Sequence, residues 1–384
     1  MTVKPSLAIP TALFFGPGRA ADLPGIARAY GRTVLVVTGP GALSDLAGAL
    51  TQKLETEGFK AASAAVVDRE PTLAIVDRVI AEARAHGAEV LVGLGGGSCL
   101  DAAKAAAIVL PTGRPAADFF GGAALPGPGL PWIAMPTTAG SGAEATANAV
   151  LIDQETRIKQ SIRSGHMHAR AAVIDPLLTE GLPPKRTAYS GLDALSHAVE
   201  SFCSRGANEL TDVIALEAAR LILLYLQRAY TDGGDREARA ALAKASLLAG
   251  IALANARLGA VHGLAHPIGS LYNQPHGLIC GVLLPQIMRF NLRVCHEKYA
   301  RLAEIWGAAG GGDVFDRAAA AIRHVMALNR RLGIPAALGD LGLSAKDFPE
   351  IVRQAALSPS LAANPRPVSQ EDLMAILGEN IQGT

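Results

Sequence analysis

Two stretches of the chain carry residue types that bind a divalent metal. The segment 257–277 holds three of the nine histidines, and His262 and His266 within it are four residues apart. Upstream, Asp193 and His197 have the same spacing. Residues four apart lie on one face of a helix, so each pair can point at one place. A carboxylate with several imidazoles, brought together from two segments, predicts a site for Fe²⁺ or Zn²⁺.

Each pair taken alone has an ordinary explanation. A histidine on an apolar helix is usually a packed or surface residue, and short motifs also match by chance. The two pairs together, with His276 directly before Gly277, favour the metal site. That interpretation requires the rest of the chain to supply a reaction for the metal.

The composition excludes several classes of protein. The chain has 384 residues, 50% of them hydrophobic, and its net charge of +1 leaves no basic surface for nucleic acid. Four cysteines without CxxC spacing predict buried or free thiols in a reducing compartment. The N-terminus lacks the apolar core of a signal peptide, and apolar runs such as 221–226 are too short for a bilayer. We expect a cytoplasmic protein without a membrane or nucleic-acid partner.

The first half of the sequence alternates between strand-like and helix-like segments. Continuous β-branched runs predict strands that are buried on both faces. The alternation indicates an α/β domain with a mostly parallel, Rossmann-like sheet, which binds ligands at the carboxyl ends of its strands. The predicted strands are Thr33–Thr38, Ala62–Val67, Glu89–Leu94, Trp132–Met135 and Ala171–Ile174, and the predicted helices are Leu43–Gly58, Thr72–His86 and Asp101–Val109.

The second half has a different character. After about Thr187 we find no strand-like segment, and helical patterns rich in Ala and Leu dominate. The pair Pro183-Pro184 marks the break, so we expect an α/β domain over 1–183 and an all-α domain over 184–384. The predicted helices are Tyr189–Ser204, Glu209–Tyr230, Asp235–Asn255, Gln286–Asn291, Glu297–Trp306 and Val314–Leu332.

Two polar loops follow predicted strands directly. The loop 95–98 (GGGS) opens a helix, where glycines let a phosphate approach the backbone and the helix N-terminus offers free N–H groups. The pattern is not GxGxxG, and a tight turn would also explain it. The loop 136–142 (PTTAGSG) follows the next strand in the same way. Two such loops at neighbouring strand ends predict a dinucleotide or phosphate site.

A nucleotide site in one half and a metal site in the other suit the dehydrogenation of an alcohol. The metal acts as a Lewis acid on the carbonyl or alkoxide oxygen, and a nicotinamide carries the hydride. Since the redox state of the metal does not change, Fe²⁺ and Zn²⁺ both satisfy the chemistry.

Six motifs in order along the chain resemble the iron-dependent (group III) alcohol dehydrogenases, the family that contains lactaldehyde reductase. The resemblance covers nearly the whole chain. It implies a dehydroquinate-synthase-like α/β domain, an all-α metal-binding domain and NAD(P)-linked chemistry on a small alcohol–aldehyde pair. The motifs are GGGSCLDAAK (95–104), PTTAGSGAEAT (136–146), Asp175-Pro176, GLDALSHAVE (191–200), GAVHGLAHPIGSLYNQPHG (259–277) and Asn364-Pro365-Arg366.

The resemblance also implies roles for individual residues. The metal ligands fall on Asp193, His197, His262 and His276. His266 matches a histidine near the nicotinamide and the substrate that does not bind the metal, and histidine titrates in the range that suits a proton relay.

The remaining site positions are those of the cofactor and the substrate. The expected cofactor-binding residues are Gly39, Gly96, Gly97, Ser98, Asp101, Thr137, Thr138, Ser141, Thr146 and Lys159, and the expected substrate residues are Asn148, Leu253 and Arg257.

Two of these positions depart from the pattern of the family. Gly39 stands where relatives that prefer NAD commonly carry Asp, whose carboxylate would bind the adenosine ribose and repel a 2′-phosphate. We therefore expect NAD(H), with NADP(H) tolerated. Arg257 stands where relatives often have a small residue. Near the substrate it would suit an aldehyde that bears a carboxylate, phosphonate or sulfonate, whereas an arginine facing solvent is the ordinary case.

Three other functions stay open at this point. Maleylacetate reductases share the fold but typically lose part of the metal set, which is complete here. A dehydroquinate-synthase-like lyase also uses NAD and a metal, but its metal motifs and basic pocket are not matched. A nucleotide-binding regulatory module would make the metal residues accidental. The resemblance also implies a homodimer or higher homo-oligomer, through N-terminal strands such as Leu13–Phe15.

Overall fold

A computed structural model describes residues 5–308 and 310–382, which form two compact units. The first unit is Ile9–Glu180, and the second comprises residues 181–382 with the segment 5–8. The segment 5–8 joins the second unit because the Ala8 amide donates to Asn255 Oδ1 and the Ser6 carbonyl accepts from Asn208 Nδ2. The expected span 1–183 differs from the first unit in this segment and at residues 181–183.

A six-stranded parallel sheet forms the centre of the first unit and confirms the predicted α/β class. The strands of the unit are β1 (Ala12–Phe15), β2 (Thr33–Thr38), β3 (Lys60–Ala65), β4 (Val90–Gly95), β5 (Trp132–Pro136), β6 (Asn148–Asp153), β7 (Ile158–Arg163) and β8 (Ala171–Ile174). The sheet order is β1-β8-β5-β4-β2-β3, while β6 and β7 form an antiparallel hairpin that the sequence patterns did not predict.

Helices pack against this sheet and bury the apolar strands. Their bounds are α1 (Leu23–Ala27), α2 (Ala42–Thr56), α3 (Leu73–His86), α4 (Gly97–Val109) and α5 (Ala117–Phe120). Val34 and Val36 of β2 are fully buried in one core with Leu50 and Leu54 of α2. The helix α4 is buried from Cys99 to its end, because its many alanines let it pack closely. Because β4 ends at Gly95 and α4 begins at Gly97, the first turn of α4 lies at the carboxyl end of β4.

The second unit is helical throughout the described residues, as predicted. Its helices are α6 (Pro184–Cys203), α7 (Glu209–Thr231), α8 (Arg236–Ala256), α9 (Ala260–Tyr272), α10 (His276–Ile305), α11 (Val314–Arg331), α12 (Phe348–Ala355) and α13 (Gln370–Glu379). The prediction of two helices at 286–291 and 297–306 was wrong, since both belong to the 30-residue helix α10. Pro285 lies inside that helix, where it removes one backbone hydrogen bond without ending it.

Helix α10 is far longer than the apolar runs that the sequence pattern suggests. By length and composition alone it could cross a bilayer, and among the described residues α8 with α9 would qualify only as one pair bent by 106°. Inside the protein, 72% of the most apolar part of α10 is buried. Its apolar length is therefore used in packing.

Glycines let α6 and α10 approach each other closely. A Cβ atom on Gly277 would lie 2.0 Å from the backbone oxygen of Tyr189, and one on Gly281 would lie 2.7 Å from Leu192 Cδ1. Hydrogen replaces both Cβ atoms, so the first turns of α10 rest on the middle of α6. This contact brings Asp193 of α6 and His276 of α10 into one region of the second unit.

We expect Gly277→Ala to destabilise the protein, because the new methyl group must displace the Tyr189 backbone. Overpacking of this kind costs about 1–3 kcal/mol, which thermal unfolding would register as a drop in Tm of several degrees. Gly48→Ala is the matched control, since Gly48 is exposed within α2 and its Cβ would meet nothing within 4 Å. That control should raise Tm slightly, and a similar response in both variants would contradict the packing argument.

Candidate functional site

Helix α6 supplies the first two predicted metal ligands. Asp193 and His197 are one helical turn apart on its inner face, with exposures of 8% and 5%. His197 Nε2 lies 3.6 Å from Asp193 Oδ1. The amphipathic pattern of α6 thus places a carboxylate and an imidazole side by side in a nearly dry region.

Two further helices bring imidazoles to the same carboxylate oxygen. His262 of α9 places Nε2 3.4 Å from Asp193 Oδ1, and His276 at the start of α10 places Nε2 3.6 Å from it. The rings of His197 and His262 are stacked with centroids 4.6 Å apart. The structure therefore brings all four predicted ligand residues together.

These separations fit donors around one cation better than hydrogen bonds. A normal N–H···O bond spans about 2.7–3.2 Å, shorter than any of the three nitrogen–oxygen distances. Two donors bound tetrahedrally at about 2.0–2.2 Å from one ion would lie about 3.4 Å apart. Asp193 Oδ1 is also buried and accepts no hydrogen bond of good geometry from the described residues. The oxygen and nitrogen donors suit Fe²⁺ or Zn²⁺.

The local charges keep Asp193 ionised. Burial alone raises the pKa of its carboxyl group, but His197, His276 and His262 outweigh that effect and bring the pKa well below its ordinary value. A carboxylate must be deprotonated to bind a metal. The protein therefore holds Asp193 in the form that coordination requires.

His266 lies beside the cluster, one turn after His262 on α9. Its ring centroid is 5.3 Å from that of His276 and 6.3 Å from that of His262, and the side chain is half-buried. This placement agrees with a histidine next to the ligands, and its expected role as a proton relay stays a prediction.

Sequence analysis missed Glu200, which lies on the same face of α6 as Asp193 and His197. Its Oε2 is 2.6 Å from His262 Nδ1, and its Oε1 accepts a hydrogen bond from the Val261 amide at 2.7 Å. A buried carboxylate on one ring nitrogen fixes the tautomer and directs the other nitrogen to the metal. The spacing 193, 197 and 200 follows one helical face and was the available signal.

Asn364, from the late Asn364-Pro365-Arg366 motif, also supports the cluster. Its Oδ1 accepts from the Ala260 amide at 3.2 Å and from Asn291 Nδ2 at 3.1 Å. It thereby satisfies a free amide at the N-terminus of α9 and ties that helix to α10. The motif acts here on the position of His262.

Cys280 is a second residue that sequence analysis missed. Its Sγ lies 3.6 Å from His276 Nε2 and 3.9 Å from His262 Nε2. Burial raises the pKa of its thiol to about 12. With Asp193, His262 and His276, it forms a group whose ligand atoms all lie within 4.8 Å of one another. The four-residue spacing of His276 and Cys280 in one helix was again the signal.

We expect Glu200→Gln to weaken metal binding about 10–100-fold, because the neutral amide orients His262 less well. Competition with a chromophoric chelator would give the dissociation constant for Zn²⁺. Glu217→Gln is the matched control on α7, where Glu217 pairs with Arg220 at the surface. A Glu200→Gln protein with unchanged Zn²⁺ affinity would show that the Glu200–His262 contact serves folding alone.

In the first unit, the two predicted cofactor loops are in contact. They follow the paired strands β4 and β5, and the Thr137 amide donates to the Gly95 carbonyl at 2.9 Å. A Cβ on Gly97 would lie 2.8 Å from Ser141, and one on Gly96 would lie 3.3 Å from Thr138. Glycine is therefore required where the loops meet at the N-terminus of α4, next to Ser98. Free amides at a helix N-terminus form a favourable phosphate site.

Two other expected cofactor residues have internal partners. Asp101 accepts from Lys104 Nζ at 3.2 Å and from the Val150 amide at 3.0 Å, and Lys104 also donates to Thr146 Oγ1 at 2.9 Å and to the Asn148 carbonyl at 2.7 Å. Burial raises the pKa of Asp101 and lowers that of Lys104. This network attaches the β6–β7 hairpin to α4, which is a structural role for Asp101 and Thr146.

The hairpin also carries the other two residues expected to face the cofactor and the substrate. Lys159 Nζ forms an ion pair with Glu70 at 2.7 Å, and Lys159 is largely buried. Asn148 Nδ2 donates to Ser161 Oγ at 3.4 Å across the hairpin. Their expected contacts with cofactor or substrate stay predictions.

Gly39 lies at the carboxyl end of β2 in a restricted space. A Cβ there would be 2.8 Å from the Val67 carbonyl and 3.3 Å from Leu43 Cδ1. An aspartate at this position would require the backbone after β3 to move. The absence of a carboxylate at position 39 therefore agrees with the local packing.

The expected substrate residues Leu253 and Arg257 lie at the end of α8. The Arg257 amide donates to the Leu253 carbonyl at 2.9 Å, and its own carbonyl accepts from Ser201 Oγ. Arg257 is exposed, and among the described residues no acidic group pairs with its guanidinium. Its backbone, at φ 70° and ψ −175°, adopts a conformation that is nearly exclusive to glycine and costs about 1–3 kcal/mol.

Comparison with known proteins gives consistent matches along the chain. Residues 10–176 match the family described as iron-containing alcohol dehydrogenase, and residues 187–381 match the C-terminal part of the Fe-containing alcohol dehydrogenase family. The chain is 36% identical over 378 residues to 1,3-propanediol dehydrogenase of Klebsiella pneumoniae, with 96% of each chain covered. It is 34% identical to lactaldehyde reductase of Escherichia coli (strain K12), over 91% of this chain and 92% of the relative.

A solved structure extends this similarity to a cofactor complex. Sulfoacetaldehyde reductase from Bifidobacterium kashiwanohense, solved in complex with NAD⁺, has a TM-score of 0.88 and 31% identity, with 99% of both chains covered.

Proposed function

The chain belongs to the iron-containing alcohol dehydrogenase family, and we propose that it is a metal-dependent, NAD(P)-linked reductase of a small aldehyde. The convergence of three imidazole nitrogens on Asp193 Oδ1 at 3.4–3.6 Å carries this proposal. The relatives reported above are a dehydrogenase and two reductases, which favours this reaction over a lyase or a regulatory module.

In this proposal Asp193, His197, His262 and His276 hold Fe²⁺, and the same donors would accept Zn²⁺. When bound, the ion supplies Lewis acidity toward the substrate oxygen and the nicotinamide supplies the hydride. The chain's own residues do the remaining work. Glu200 orients His262, and Asp193, His197 and His262 are buried, which limits the access of water to them.

His266 supplies the proton in this scheme. Reduction of a carbonyl group adds a hydride to carbon and a proton to oxygen, so a proton donor is needed beside the metal ligands. The half-buried ring of His266 lies there, and a histidine titrates near neutral pH. We assign a ring nitrogen of His266 as the group that delivers the proton to the substrate oxygen.

The cofactor in this proposal is NAD(H), with NADP(H) also accepted. A relative at 31% identity was solved with NAD⁺, which supports NAD(H). The contact between the two loops after β4 and β5, at the N-terminus of α4, supports a pyrophosphate site. Gly39 supports the acceptance of NADP(H), because a glycine has no carboxylate that would repel a 2′-phosphate.

We further propose a cytoplasmic protein that forms homodimers or larger homo-oligomers. The edge strand β1 supports this assembly, because among the described strands it pairs with β8 alone and exposes Leu13 and Phe15 at 38% and 39%. An exposed apolar edge strand favours pairing with another chain.

We expect His262→Ala to lose both retained metal and activity while cofactor affinity stays nearly unchanged. The variant removes a ring nitrogen next to Asp193 Oδ1, whereas the two expected cofactor loops belong to the first unit. The measurement is NADH oxidation by the anaerobic, Fe²⁺-loaded protein with short aldehydes, combined with metal analysis and NADH titration. His296→Ala, a histidine of α10 that stacks on Phe315, is the control. Full turnover by His262→Ala would reject the site.

We expect Arg257 to strengthen the binding of anionic aldehydes. A charged hydrogen bond contributes about 1.5–3 kcal/mol, so Arg257→Ala should raise the KM for an anionic aldehyde roughly 10–100-fold and leave a neutral aldehyde unaffected. Arg257→Gly, which also relieves the strained backbone, should show the same loss with a higher Tm. KM values that stay unchanged for both aldehydes would assign Arg257 to the solvent-exposed surface alone. Equal increases of KM for both would also contradict selective binding of the anion.

A further inference from the structure

The thiol of Cys280 lies inside the cluster of metal-binding groups, although the family resemblance assigns it no role. The residue is fully buried on α10, one turn after His276, and belongs to no disulfide. Its sulfur is nearest to two atoms that the proposed function gives to the metal, Nε2 of His276 and Nε2 of His262.

The sulfur–nitrogen distances agree with donors that share one ion. With metal–sulfur and metal–nitrogen bonds of about 2.3 Å and 2.0–2.1 Å, an angle of about 110–120° at the ion separates sulfur and nitrogen by about 3.6–3.8 Å. The observed separations are 3.6 Å to His276 Nε2 and 3.9 Å to His262 Nε2. The same calculation fits the nitrogen–oxygen distances around Asp193 Oδ1.

A hydrogen-bonding role for the thiol conflicts with the metal site. Both nearby nitrogens must use their lone pairs to bind the ion, so neither can accept an S–H hydrogen bond at the same time. The sulfur would then be a buried, unpartnered atom beside a divalent cation. Coordination removes this conflict, because a thiol that binds such an ion loses its proton and becomes a soft anionic donor.

We propose that Cys280 Sγ is a direct ligand of the metal, in addition to the aspartate and the histidines. The inference rests on the proposed function, since it needs an ion at Asp193. On coordination the S–H bond breaks, the electron pair forms the metal–sulfur bond and the proton goes to solvent. A thiolate in the set favours Zn²⁺ and Co²⁺ over harder ions such as Mn²⁺ and Mg²⁺.

Cobalt substitution tests the ligand directly, without a measurement of turnover. The purified full-length protein is stripped with a chelator and titrated with Co²⁺ under anaerobic conditions. Visible d–d bands report Co²⁺ in the site, and an intense near-ultraviolet band from thiolate to Co²⁺ reports sulfur coordination. We expect both bands in the natural protein, and only the d–d bands in Cys280→Ser and Cys280→Ala.

The matched control is Cys99→Ser. Cys99 is also buried, at 4% exposure, and burial likewise raises the pKa of its thiol to about 12, but it lies in α4 of the first unit. This variant should keep both bands. Competition with a chelator should further show that Cys280→Ser binds Zn²⁺ at least about 10-fold more weakly than Cys99→Ser, as expected for loss of a ligand.

The outcomes separate this inference from the proposed function. Visible bands without the charge-transfer band in the natural protein would overturn sulfur coordination and leave the site of Asp193 and the histidines intact. A charge-transfer band that survives in both Cys280 variants would also overturn it. Failure of the natural protein to bind Co²⁺ would overturn both. Because the natural spectrum decides first, poor folding of one variant does not obstruct the test.

Discussion

The second unit depends on holding two carboxyl groups, those of Asp193 and Glu200, in one buried place. A buried charge is strongly unfavourable unless opposite charges or hydrogen-bond donors surround it. Asp193 meets three imidazoles, while Glu200 receives a ring nitrogen of His262 and the Val261 amide. The helices can supply these partners only because they approach very closely, and Gly277 makes that approach possible. Packing and electrostatics in this unit are therefore one requirement.

In the first unit, a single sequence motif serves two purposes. Gly96 and Gly97 shape the surface where two loops meet, which is the part of GGGSCLDAAK that a phosphate could reach. Asp101 and Lys104, further along the same motif, turn inward and hold the β6–β7 hairpin to α4. A resemblance over such a motif transfers both purposes together. Only the structure separates the residues where the loops meet from those that hold the hairpin.

The sequence predicted features that depend on local period. The strands at Thr33–Thr38 and Ala171–Ile174 and the shared faces of α6 and α9 follow from side-chain spacing. The hairpin was missed because its second strand, IKQSIR, is mostly polar and buries a single residue, Ile162. The continuity of α10 was missed because Pro285 normally ends a helix. The contact of Glu200 with His262 joins residues 62 positions apart, a distance that no spacing rule reaches.

The hydrogen bonds of Asn364 can form only late in the synthesis of the chain. The start of α9 is fastened by a side chain 104 residues further along, and the ribosome delivers a chain from its N-terminus onward. Asp193, His197, His262 and His276 can therefore emerge before Asn364 has been made. A nascent chain would contain His262 well before Asn364 could fix the start of the helix that carries it. Asn364 can secure the start of α9 only near the end of synthesis, after the whole of the first unit has been made.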